Sequence, residues 1–127
     1  MNAERRRTLR LHPKELTFVV MRPQFSKSGK ILDISRGGLC FQYLFLFKSN
    51  PSEGGAASVK IDIFIINNGY YLAKVPCKLI YDVEKKEATS FPISLEFRRC
   101  GLQFGEFSKE QKRQLELYLS HYTEVME

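Results

Sequence analysis

Residues 58–66, SVKIDIFII, alternate in character with a period of two. Val59, Ile61, Ile63 and Ile65 fall on one side; Lys60, Asp62 and Phe64 fall on the other. A helix repeats its apolar face at three and four residues, so this spacing reads as a half-buried strand. Asn68-Gly69 follows and offers a two-residue type I′ turn into Tyr70–Asp82, which predicts a β-hairpin. Pro76 lies inside the second arm and cannot donate to a ladder, so an edge position or a bulge is expected there.

The remaining segments add strands around this hairpin. Glu15–Met21, Lys30–Ile34 and Gly38–Phe47 are rich in β-branched and aromatic residues. SRGG joins the last two, with Gly37 and Gly38 expected to supply positive φ values. Asn50–Ala57 reads as a loop and Val83–Ser90 as a solvated turn. Ser94–Phe104 is a strand whose parity slips, because Leu95 and Phe97 share one side while Leu102 and Phe104 share the other. A bulge near Arg98–Gly101 would reconcile them. Ser108 with Gln111 forms a capping-box pattern, and Leu115, Tyr118, Leu119, Tyr122 and Met126 recur at helical spacing. The sequence therefore predicts a mainly β fold, a six-stranded antiparallel β-barrel with a C-terminal α-helix. One domain fills residues 1–127, with a basic arm at 1–12, the barrel at 14–104 and the helix at 108–125. A chain of 127 residues can bury a core without disulfides or metal, and ten Phe and six Tyr supply its volume.

The net charge is +6, and RRRTLR at residues 5–10 places Arg5, Arg6, Arg7 and Arg10 close together. Such a concentration points to an anionic partner rather than to general solubility. Cys40, Cys77 and Cys100 form no CxxC pair and no zinc spacing, and read as buried thiols in a reducing cytosol. Charges interrupt the N-terminus where a signal peptide would be apolar, and the run Leu39–Phe47 is too short to span a bilayer. A cytoplasmic location with no membrane insertion is expected. No Ser/His/Asp set, paired carboxylates or phosphate loop is present, and His12 and His121 stand apart, so an enzyme is not expected.

The segment LDISRGGLCF, residues 32–41, consists of ordinary turn formers when taken alone. Together with RRRTLR it makes a two-part pattern, RxxxR followed downstream by DxSxxG, and in this the chain resembles the PilZ family. Arg6 and Arg10 form the first part, with Arg5 giving the fuller RRxxxR; Asp33, Ser35 and Gly38 form the second. CGLQFGEFS, residues 100–108, is similar to that family's Gly-x-x-Phe strand leading into its terminal helix. The resemblance implies a six-stranded barrel with a helix, and a receptor for cyclic di-GMP that uses no further cofactor. It also implies that Arg5, Arg6, Arg10, Asp33, Ser35 and Gly38 bind that nucleotide, and that a protein effector receives the signal.

The chemistry of those side chains suits such a ligand. An Arg fork pairs bidentately with phosphate or with guanine O6 and N7, and its plane stacks on a purine. Asp33 can accept from guanine N1–H and N2–H₂, Ser35 can donate to a phosphate oxygen, and Gly38 permits close approach. The arm is expected to be mobile alone and to fold across the barrel with ligand. Arg5 offers an extra cation for a second stacked nucleotide. Arg7 is expected to face solvent, Arg36 to face ligand or water, and Arg98 and Arg99 to form a strand-edge or bulge pair. The rival readings are a small basic nucleic-acid-binding barrel and a nucleotide-independent protein-interaction module. Nucleic-acid grooves spread cations and exposed aromatics over a face. Here the aromatics fall mostly at apolar strand positions and the cations gather in one arm, so a nucleic-acid partner is not expected.

Overall fold

The computed structural model describes residues 10–22, 27–46, 58–84 and 95–125. Its strands are β1 (Leu11–Pro13), β2 (Thr17–Arg22), β3 (Gly29–Ile34), β4 (Gly38–Leu46), β5 (Ser58–Ile65), β6 (Tyr71–Glu84) and β7 (Leu95–Phe104). Helix α1 (Lys109–His121) and a last short strand, β8 (Thr123–Val125), complete the described elements. Every pairing is antiparallel, in the order β2-β5-β6-β7-β4-β3. Strand β3 then pairs back to β2 through Phe18↔Lys30 and Val19↔Gly29, which closes a six-stranded barrel. This is the architecture expected from the sequence. Closure removes the exposed edges that an open sheet would leave.

The alternation of β5 has its predicted consequence. Ile61, Ile63 and Ile65 are buried in the barrel with Val19, Met21, Phe41 and Val75. Cys40, Cys77 and Cys100 are free and buried. Gly29, at the closing pair with β2, lets β4 approach closely on its other side, because a Cβ there would run into the carbonyl oxygen of Gln42.

Several local expectations change. The β5–β6 loop has four residues rather than two: Ile65 N–H donates to Tyr70 O at 3.2 Å, and Asn68 Oδ1 accepts from Tyr70 N–H at 3.0 Å. Gly69 alone in this loop is left-handed, with φ +81°, so the type I′ turn, which needs two such residues, is excluded. Pro76 sits in an interior strand, not at an edge. Strand β7 ends at Phe104 opposite Cys77, and the Pro76 carbonyl accepts from Gly105 N–H at 2.7 Å. The missing proline N–H therefore falls where β7 has no ladder partner to offer. The bulge expected in β7 lies in its neighbour. Strand β7 runs against β4 without a shift, whereas Ile80 is the extra residue of β6, between Leu79↔Leu102 and Tyr81↔Gly101. Phe97 breaks the parity because it faces outward and is exposed.

The two ends of the chain also differ from expectation. Leu11–Pro13 is strand, paired with β3 at Ile34 and with β8 along its length, although the basic arm was expected to reach residue 12. The helix stops at His121, not near 125, because β-branched Thr123 and Val125 are taken into a ladder with β1. Thr123 Oγ1 donates to Leu119 O at 2.6 Å across that junction. Met126, the 50–57 loop and most of the 83–90 turn lie outside the described residues.

The N-terminus of α1 carries the predicted capping box. Gln111 N–H donates to Ser108 Oγ at 3.0 Å, and Ser108 N–H donates to Gln111 Oε1 at 3.0 Å. Leu115, Tyr118 and Leu119 face the barrel. Tyr118 is 0% exposed, packs against Tyr70 and Tyr122, and donates its hydroxyl to Thr17 Oγ1 at 2.8 Å. Replacing Tyr118 by Phe removes that one bond and should cost about 0.5–1.5 kcal/mol. Tyr118→Ala also empties the ring's volume and should cost about 3–5 kcal/mol. Urea denaturation of the three proteins measures both steps; equal losses would show that the ring contributes little to docking the helix.

Candidate functional site

Residues paired across neighbouring strands share a face of the sheet. Asp33 of β3, Cys40 of β4, Gly101 of β7 and Tyr81 of β6 are paired in that succession, so they form one row on the outer surface of the barrel. Two bulges produce this row. Leu32 is the extra residue of β3, between Ile31↔Phe41 and Asp33↔Cys40, so that Ile31 and Ile34 both point inward and Asp33 points out. Ile80 does the same for Tyr81 on β6.

Missing side chains hollow the row into a pocket. A Cβ on Gly101 would strike the Tyr81 ring, so the ring lies over bare β7 backbone. A Cβ on Gly38 would strike the Leu102 carbonyl oxygen. Neither Gly37 nor Gly38 has a positive φ, which corrects the sequence reading: Gly38 is needed for space, not for turn conformation. The result is a pocket of about 190 Å³ lined by Arg10, Asp33, Ser35, Gly38, Cys40 and Tyr81, among others.

Arg10 arrives from the start of the chain. The pair Leu11↔Ile34 fixes the preceding residue beside Asp33, and Arg10 Nε stands 3.8 Å from Asp33 Oδ1. Burial pushes the Asp33 carboxyl above its ordinary value, and the charges of Arg10, Arg99 and His12 offset this only in part. The group is thus a partly desolvated acceptor with room for further donors. Tyr81 is 40% exposed, and its hydroxyl is bonded to the Cys40 thiol. That bond, followed by burial, pushes the Tyr81 hydroxyl up to about 12, while burial raises the Cys40 thiol.

Ser35 begins the turn that follows. Its N–H donates to Gly38 O at 2.8 Å and its Oγ accepts from Gly37 N–H at 3.2 Å. The turn is tied to β7 by Phe104 N–H donating to Gly37 O at 2.8 Å. Arg36 lies on the solvent side, its side chain 72% exposed, and there its Nε and Nη2 donate to Glu116 of α1 at 2.7 and 2.9 Å. Arg99 stands on the outer face two residues from Gly101, paired with Gln42 and Val83. Arg98 has the opposite parity, and its Nη1 lies 3.7 Å from Asp82, which also receives Lys27 and the Tyr43 hydroxyl. The two arginines therefore serve different sides of the barrel.

Of the residues singled out from sequence, Arg10, Asp33, Ser35 and Gly38 come together at this pocket. Arg5 and Arg6, with Arg7, lie outside the described residues. Sequence reasoning missed Tyr81, Cys40 and Gly101 as parts of the pocket wall. Gly101 carried a signal, since a glycine inside a strand marks a close approach. Tyr81 carried none, because the Ile80 bulge decides which way it faces.

A family profile described as the PilZ domain matches residues 4–121. Among solved structures, the fold is similar to the PilZ domain with c-di-GMP of YcgR from Escherichia coli. The TM-score is 0.65 at 17% sequence identity, covering 91% of this chain and 90% of that one. A search of curated proteins found no match. With the profile spanning nearly the whole sequence and the barrel built as that fold requires, the chain belongs to the PilZ domain family.

Proposed function

We propose that this protein is a receptor for cyclic di-GMP, a binding module rather than an enzyme. Arg5, Arg6 and Arg10 clamp the nucleotide against Asp33, Ser35 and Gly38, and ordering of the arm over the barrel passes the signal to a protein effector. The observation that carries this reading is the meeting of Arg10 and Asp33 in one outer-face pocket, from motifs far apart in sequence. Family membership and a structural neighbour with the same nucleotide support it.

The size of the pocket supports a division of labour. Sites that enclose a drug-sized ligand measure about 300–1,000 Å³, whereas this one measures about 190 Å³. One guanine fills it, edge toward Asp33 and face toward the Tyr81 ring. The phosphates then lie outside the pocket, where arginine forks from the arm reach them. Each charge-assisted bond contributes about 1.5–3 kcal/mol. A few of these, less the cost of ordering the arm, yield an affinity of about 1 µM, or about 8 kcal/mol.

Calorimetric titration tests the reading, with cyclic di-AMP and GTP as controls. Cyclic di-GMP alone should give saturable heat, and Arg6→Ala, Arg10→Ala or Asp33→Ala should each weaken it at least about tenfold without loss of the β-rich circular dichroism spectrum. Tyr81→Ala should cost about 1–3 kcal/mol of affinity through lost stacking, while Tyr81→Phe keeps the ring and the affinity. Absence of heat with all three nucleotides would overturn the receptor reading.

The raised Asp33 value adds a pH dependence. Guanine donors favour the carboxylate, so the bound form holds its proton less tightly than the free form. Affinity is therefore full above the free-state value and falls as pH drops through it, the logarithm approaching a slope of about one per pH unit. Titrations across the acid range on wild type and Asp33→Asn check this. A pH-independent wild type would show that Asp33 does not meet the ligand as an anion.

A further inference from the structure

A second concavity lies over β5 and β6, a groove of about 620 Å³ whose walls include Arg22, Lys60, Lys74 and Lys78, with Val59 and Pro76 among its apolar surfaces. Arg22, Lys60 and Pro76 are paired in turn across β2, β5 and β6, and Lys78 stands opposite Ser58. Among the described residues, no carboxylate lines the groove. Asp62, on the same strand as Lys60, is 3% exposed and already accepts from Arg22 Nη2 at 2.6 Å, Tyr71 Oη at 3.0 Å and Lys74 N–H at 2.9 Å. Lys60, Lys74 and Lys78 have no ion pair among the described residues.

Lys74 is held in an unusual conformation at this rim. Its φ is +53°, the one left-handed non-glycine among the described residues. It belongs to a bulge, since Ile61↔Val75 and Ile63↔Leu72 leave Ala73 and Lys74 together opposite Asp62. Asp62 takes the Lys74 N–H from one side, and Gln111 Nε2 donates to the Ala73 and Lys74 carbonyls at 3.0 and 2.9 Å from the other. A strained backbone fixed from two sides, at an exposed lysine, aims a charge instead of filling a core.

We propose that this groove binds an extended, acidic segment of a partner protein. Lys74, Pro76 and Lys78 follow one another at every second residue and line the same groove. They present charge, apolar surface and charge over about 13 Å, at about 3.3 Å per strand residue. An extended peptide with an acidic, apolar, acidic order at alternate positions repeats that spacing. It places carboxylates at the lysines and an apolar side chain on Pro76. The chain's +6 charge steers such a partner inward. The inference names the chemistry of a docking segment on the effector in the proposed function. That contact stands with or without nucleotide while arm ordering carries the signal, and its test reads the groove without using the nucleotide response.

The probe is fluorescein-labelled Glu-Leu-Glu-Leu-Glu-Leu-Glu, with its Lys-Leu counterpart as control, followed by fluorescence anisotropy on the full chain. The acidic peptide should bind and weaken with salt. The double variant Lys60→Gln with Lys78→Gln, at an unchanged melting temperature, should lose at least about fivefold in affinity. Arg10→Ala should bind the peptide as wild type does, and so should wild type with saturating cyclic di-GMP. Amide shifts should fall on residues 58–60 and 74–78. No binding of the acidic peptide, equal binding by the double variant, or displacement by cyclic di-GMP would each overturn the proposal. So would lysine-dependent binding of phosphatidylglycerol vesicles with no peptide binding, which would assign the groove to anionic lipid.

Discussion

Strand β3 must satisfy three neighbours, and much of the molecule follows from how it does so. At its start, Gly29 and Lys30 pair with β2 and close the barrel; along its length it pairs with β4; at its end, Ile34 receives β1. A regular strand offers two edges, so the third partner requires that β2 and β1 share one edge at different heights. The extra residue at Leu32 supplies the bend between them. The same bulge keeps Ile31 and Ile34 in the core while turning Asp33 outward. Closure of the fold and exposure of the central carboxylate are thus one structural event.

This geometry ties elements from both ends of the chain to one helix. Arg10 precedes β1, β1 pairs with β8, and β8 follows α1 directly. On the other side, Arg36 leaves the 35–38 turn to grip Glu116 on α1. The capping residue Gln111 of the same helix holds the Lys74 bulge. An exposed ion pair such as Arg36–Glu116 contributes little stability, and its value lies in fixing where the turn sits relative to the helix. The pocket, the helix and the basic groove share one rigid connection, α1.

The barrel and its helix were legible in the sequence because their signals are long and periodic. Ser58–Ile65 alternates over a full strand, and Leu115, Tyr118 and Leu119 repeat over more than a helical turn. Strands β1 and β8 have three residues each, too few for any period, and they form through pairing with each other and, for β1, with β3 at Ile34. The bulges were misplaced or unseen for a related reason. A parity slip can mark an extra residue or an apolar side chain left facing outward: in β7 it marks the exposed Phe97, while the bulge lies in β6 at Ile80. For the pocket, the motif pattern located Arg10, Asp33, Ser35 and Gly38, and it misread why Gly38 is glycine. Tyr81 and Cys40 join it through register, which composition does not record.

The claim on which the account depends is that the arginine arm and the Asp33 turn act on one nucleotide. Hydrogen exchange with and without saturating cyclic di-GMP tests it most directly. The account predicts that amides of residues 4–12 slow at least about tenfold, the scale of the affinity at stake, together with those at Asp33–Cys40. Amides of β5 should exchange at the same rate in both states. Unchanged exchange across residues 4–12 with nucleotide bound would contradict it, because the arm would then take no part in holding the ligand.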